Sequence, residues 1–149
     1  MATLTPTLTL SSSDVFTDQP LSLSVTDTLT VQAPMTDISR MNSDDDIGNG
    51  AGVIIDEVDT NTYYVYVKHT GILSSDGTTA ANSTADYIQL GNEDIALSRM
   101  IILYPGEFAF FPVIGNNDAT DDGDEVGGLK IHAASAAVQI NYAYWKRTP

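Results

Sequence analysis

The feature that most constrains this chain is a two-residue rhythm recurring in short bursts. In TLTPTLTL at 3–10, Leu4, Leu8 and Leu10 fall on one face and Thr3, Thr5, Thr7 and Thr9 on the other. In PLSLSVTDTLTVQ at 20–32, Leu21, Leu23, Val25, Leu29 and Val31 share one parity. A period of two marks a half-buried β-strand, because successive side chains leave opposite faces of the pleat. Composition agrees. The chain holds 17 Thr and 12 Ser but only 3 Lys and 4 Glu. Helix surfaces favour Glu and Lys, whereas Thr, Val, Ile and Tyr favour strands.

Pro6 interrupts the first burst and cannot donate to a ladder, so residues 1–12 read as an edge strand or extended N-terminal arm. Asp27-Thr28 interrupts the second, giving one bulged strand or two short ones. A short strand is expected around Ile38. GVIIDEV at 52–58 and YYVYVKH at 63–69 flank the turn DTNT and read as a hairpin. Residues 70–84 read as a long loop, 85–91 as a short strand and 93–97 as a single helical turn. RMIILY at 99–104 and EFAFFPV at 107–113 flank Pro105-Gly106, which suits the two central positions of a type II turn. LKIHA at 129–133 and AVQINYAYWK at 137–146 are the last strands. Eight to ten short strands without a long helix predict an all-β fold, an antiparallel β-sandwich or jelly roll. Residues 13–149 would form its single domain.

Charge and chemistry narrow the function. Twenty acidic residues against six basic ones give a net charge of −14. Phosphate recognition needs clustered Lys and Arg, so neither nucleic acid nor an anionic membrane is an expected partner. No cysteine is present, which removes disulfides, thiol nucleophiles and thiolate metal sites. The N-terminus lacks the basic and apolar regions of a secretory signal, and no apolar run is long enough to span a bilayer. The only histidines, His69 and His132, adjoin apolar strand runs and read as surface or half-buried strand residues. No nucleophile elbow, phosphate loop or paired-histidine zinc motif occurs. The expectation is a protein that is not an enzyme, with no catalytic residue, no cofactor and no bound metal.

Two acidic loops are the remaining candidate ion sites. Asn42, Asp44, Asp45 and Asp46 precede Gly48; Asp118, Asp121, Asp122, Asp124 and Glu125 surround Gly123. A calcium loop opening at Asp118 would place Thr120 at its third position and Leu129 at its twelfth, so the pattern fails. Both loops read as solvated acidic surface. The aromatics Tyr63, Tyr64, Tyr66, Phe108, Phe110, Phe111, Tyr142, Tyr144 and Trp145 all lie in expected strands and read chiefly as core. Tyr142 and Tyr144 share a face and Trp145 takes the other. The expected partner interface is Leu4, Leu8 and Leu10 on the arm, with Trp145 as an anchor.

Four stretches carry a resemblance: YYVYVKHTG at 63–71, ADYIQLG at 85–91, ILYPGEFAFFPV at 102–113 and LKIHAASAAVQINYAYW at 129–145. Their order resembles small β-rich virion structural proteins, capsid decoration or cement-like, of tailed phages infecting marine bacteria and cyanobacteria. The resemblance covers about residues 63–145. His69 stands where that pattern usually has Asn, and the acidic segment 115–128 is long for it. The resemblance implies a capsid decoration (cement) protein bound to the major capsid protein on the outer surface of a phage head. The alternatives are a tail, fibre or head-to-tail connection component, or a glycan-binding β-sandwich module. It further implies a homo-oligomer, with a trimer expected, localised to the virion after assembly in host cytoplasm, with the arm pairing to neighbouring subunits as an added strand.

Overall fold

A computed structural model describes residues 2–12, 21–32, 39–42, 53–55, 61–91, 99–114 and 129–148. Its regular structure is all β, with no helix among the described residues. Twelve strands follow in order: β1 (Ala2–Leu4), β2 (Thr7–Ser12), β3 (Leu21–Thr26), β4 (Leu29–Val31), β5 (Ser39–Asn42), β6 (Val53–Ile55), β7 (Thr62–Leu73), β8 (Ile88–Gly91), β9 (Arg99–Leu103), β10 (Phe108–Ile114), β11 (Leu129–Ala133) and β12 (Val138–Lys146). Every ladder between them is antiparallel. The count exceeds the expected eight to ten because the breaks at Pro6 and at Asp27-Thr28 each divide a run in two. The helical turn expected at 93–97 and the acidic loop residues 44–48 and 115–128 lie outside the described residues.

Eight strands make two four-stranded sheets, ordered β10-β7-β12-β5 and β6-β11-β8-β9. The pairings nest: β5 joins β12, β6 joins β11, β7 joins β10 and β8 joins β9. Apart from β8 and β9, consecutive strands therefore lie in different sheets. The hairpin expected between 52–58 and 63–69 does not form. β6 pairs with β11, and β7 pairs with β10 and β12. A short turn signal marks a reversal of the chain; it does not say whether the next strand returns to the same sheet. The Pro105-Gly106 turn likewise carries the chain from β9 in one sheet to β10 in the other.

One core is fed by both sheets. β7 contributes Tyr63, Val65 and Val67, β8 Ile88 and Leu90, β11 Leu129 and Ile131, and β12 Val138 and Ile140, with Leu103 and Val113 beside them. Fully burying each such aliphatic side chain stabilises the fold by roughly 1.5–3 kcal/mol. Pro112 falls on β10, an outermost strand of its sheet, where a missing N–H leaves no central ladder bond unmade.

The four remaining strands form a separate ribbon. β2 pairs with β3 from Thr7↔Thr26 to Ser12↔Leu21, and β1 pairs with β4. At the break, the Asp27 N–H donates to the Pro6 carbonyl at 3.2 Å. The N-terminal segment forms one side of a two-stranded ribbon. Its base is tied to β12: the Gln32 N–H donates to the Lys146 carbonyl at 2.9 Å, and Val31, 1% exposed, bridges to Arg147. Beyond the base, residues 7–11 and 22–28 are exposed.

Candidate functional site

Residues from three of the four stretches that carry the resemblance, His69, Asp86 and Glu107, meet at the end of β7. His69 shares the parity of Tyr63, Val65 and Val67 and is fully buried, at 0% exposure. The Gly71 N–H donates to His69 Nδ1 at 3.0 Å. That ring nitrogen must therefore be the unprotonated one. His69 Nε2 lies 2.7 Å from the Asp86 carbonyl, which can only accept, so Nε2 carries the proton. The ring is neutral and satisfied on both sides. Burial holds its pKa below the usual 6.5, outweighing the Asp86 carbonyl bond and the charges of Asp86 and Glu107, which act the other way.

The Pro-Gly-Glu turn closes on the same point. The Glu107 N–H donates to the Tyr104 carbonyl at 2.9 Å, and Gly106 has φ +89°, the geometry of a type II turn as expected. The Glu107 carboxylate accepts from the Tyr104 N–H at 2.8 Å. The main chain of His69 pairs with this turn, donating to the Glu107 carbonyl at 3.0 Å and accepting from the Gly106 N–H at 3.1 Å. Gly71, at φ +82°, lets the backbone bend away beside Pro105. The Asp86 carboxylate, 7% exposed, accepts from the Asn82 N–H at 2.7 Å. Three chain segments thus meet around one neutral imidazole, and the arrangement serves as a packing joint. His69 is not the surface or half-buried residue expected. Its parity with the buried positions of β7 is the signal that pointed inward.

His132 is half-buried on β11 opposite Gln89 of β8. His132 Nδ1 and Gln89 Oε1 are both buried without a hydrogen-bond partner. Among the described residues no cluster of three His, Cys, Asp or Glu side chains is placed to hold a metal ion. Asn42 lies in β5, and the acidic residues grouped with it in the sequence lie outside the described residues. Exposed Asp76 closes its own loop, accepting from the N–H groups of Thr78 and Thr79 and from the Thr79 hydroxyl. The Thr79 bonds, then that of Thr78, lower its pKa to about 2.

The aromatics divide by face. Tyr63 belongs to the core, and Phe111, Tyr142 and Tyr144 pack against it, as expected of core aromatics. The others line the outer side of the β10-β7-β12 sheet, where core filling does not describe them. The register sets Phe108 beside Lys68 and Asn141, Phe110 beside Tyr66 and Ala143, and Pro112 beside Tyr64 and Trp145. Tyr64 and Phe110 stack at 6.0 Å between centroids and 9° between planes, and Trp145 lies 6.4 Å from Phe110. The Arg147 guanidinium sits over the Tyr64 ring at 5.8 Å. Phe108 is 58% exposed.

The expected interface residues fall in two places. Leu8 and Leu10, 46% and 43% exposed, face Val25 and Leu23 across the ribbon, which are themselves exposed. Leu4 is half-buried at the ribbon base opposite Leu29. Trp145 is half-buried on the aromatic sheet face. The contribution of Leu23 and Val25 depends on the β2–β3 pairing, which the sequence alone leaves open. Comparison with protein-family models, with curated proteins and with solved structures finds no match in any of the three.

Proposed function

We propose that this protein is a non-enzymatic virion component, a jelly-roll capsid decoration protein on the outer surface of a tailed-phage head. The carrying observation is the nested strand order. Numbering β5 to β12 as eight successive strands, the sheets read 1-8-3-6 and 2-7-4-5. That order supports the reading of a long antiparallel ladder rolled into two facing sheets, as in the jelly rolls of viral capsid and lectin domains. The shared core between the sheets supports the same sandwich reading. The stretches 63–71 and 102–113, which resemble virion proteins, meet around His69, whose ring is held by hydrogen bonds on both sides, and this supports a structural role for them. A net charge of −14 suits a particle surface, where like charge keeps neighbouring particles apart. Multivalent contact with a capsid lattice supplies avidity that one small patch lacks.

The test is the number and place of copies on purified particles, read by quantitative mass spectrometry and labelled particle imaging. A fixed lattice ratio to the major capsid protein is expected, with label over the head. A few copies confined to the tail or the head-to-tail junction reject decoration in favour of a tail or connector role. Absence from washed particles rejects both.

A further inference from the structure

We infer that two apolar surfaces exposed among the described residues fit each other across copies: the ribbon of one molecule seats on the outer aromatic face of the next. The ribbon offers a row of Leu8, Leu10, Leu23 and Val25, each 42% exposed or more, backed by Thr and Ser on its other face. A lone two-stranded ribbon is marginal in water, and a third layer under its apolar face is what it lacks. Its own body does not supply that layer, because residues 7–11 and 22–28 are exposed in the single chain.

The receiving face matches in size and charge. The ladder of six residue pairs between β2 and β3 is roughly 20 Å long, and the stretch of β7 from Thr62 to Lys68 beneath the aromatic rows is about as long. The face carries Lys68 in the Phe108 row and Arg147 over Tyr64, and Arg40 of β5 holds a register position in the Lys68 row. Two of the chain's six cations, Lys68 and Arg147, thus lie on one side of one sheet. Residues 2–12 and 21–32 contain no Lys or Arg, and Asp27 is exposed there. An apolar ribbon from a second copy, carrying Asp27 and no cation, is the occupant that complements an aromatic face bearing positive charge. Because the two surfaces differ, the contact is head-to-tail, and it builds a ring where the rotation closes.

Two double variants test this in the purified full chain. Leu10→Thr with Leu23→Thr removes one of the two facing pairs of the ribbon row while keeping strand propensity. Phe108→Thr with Phe110→Thr removes the centre of the face. Light scattering is expected to report an oligomer for the wild type and single chains for each variant. An equimolar mixture of the two is expected to form a two-chain complex and nothing larger, since one intact ribbon and one intact face remain. A monomeric wild type, an unchanged oligomer in either variant, or a mixture that stays monomeric overturns the inference. Circular dichroism checks that each variant folds. Should one fail, Val25→Thr and Phe108→Thr alone serve instead, each expected to raise the dissociation constant about tenfold. The outcome does not depend on particle location, so this contact and the virion role stand or fall separately.

Discussion

β2 and β7 carry the same alternation and meet opposite fates. In β7, Tyr63, Val65, Val67 and His69 are buried at every second position. In β2, Leu8 and Leu10 keep the same rhythm and remain exposed. The difference lies in what covers the face. β7 sits inside a sheet between β10 and β12 and shares a core cluster with strands of the other sheet, whereas among the described residues β2 has only β3 beside it. Period two settles that a strand has an apolar side. Whether that side becomes core depends on the chain supplying a second layer.

The largest test of this contrast is a pair of truncations. Ile131→Ala, in the shared core at 0% exposure, is expected to cost about 2–5 kcal/mol. Leu10→Ala in the ribbon is expected to cost no more than about 0.5 kcal/mol in the separated chain. Urea denaturation measures both, and equal losses would erase the distinction between core and ribbon.

The His69 joint comes next. His69→Leu leaves the Gly71 N–H and the Asp86 carbonyl without their ring partner, at a cost of about 2 kcal/mol or more. His69→Asn retains a side-chain acceptor for the Gly71 N–H and is expected to lose less. Thermal melts order the three proteins; an indifferent His69→Leu would show that the joint contributes nothing.

The same joint sets an acid limit. Folding lowers the His69 pKa from 6.5, so in the window just below that value the unfolded chain binds more protons there than the native one. Stability from this group is therefore full above about pH 6.5 and declines as pH falls through the lowered value. Melting curves between pH 7 and 5 are expected to slope downward, and His69→Asn to flatten that slope. An identical slope in the variant would assign the acid sensitivity to other groups.

The smallest effect is expected at the turn. A Cβ on Gly106 meets nothing within 4 Å, so Gly106→Ala carries only the backbone penalty of φ +89°. That amounts to about 1 kcal/mol, measurable by denaturation. A loss several times larger would mean that the turn constrains the β7 joint more tightly than its hydrogen bonds imply.

Some of this was legible along the chain. The type II turn at Pro105-Gly106 follows from a fixed φ next to a residue tolerant of positive φ. The inward position of His69 was legible in its parity with Val65 and Val67 and was masked by the usual surface preference of a polar ring. The partners of β6 and β7 were not legible, because a short turn between two strands fits a hairpin and a crossing between sheets equally well. The outer aromatic rows were hidden for the same reason: Phe108, Tyr66 and Trp145 come from three strands and share a face only once the register is known.

Alternation, turn chemistry and composition are local, and they were enough to determine that the chain forms short antiparallel strands with one apolar side each. The nesting of β5 to β12, the sealing of His69 and the exposure of the ribbon leucines depend on contacts between residues far apart in sequence. Only the folded chain decides those, because burial is a property of the surface that arrives from elsewhere and not of the strand that receives it.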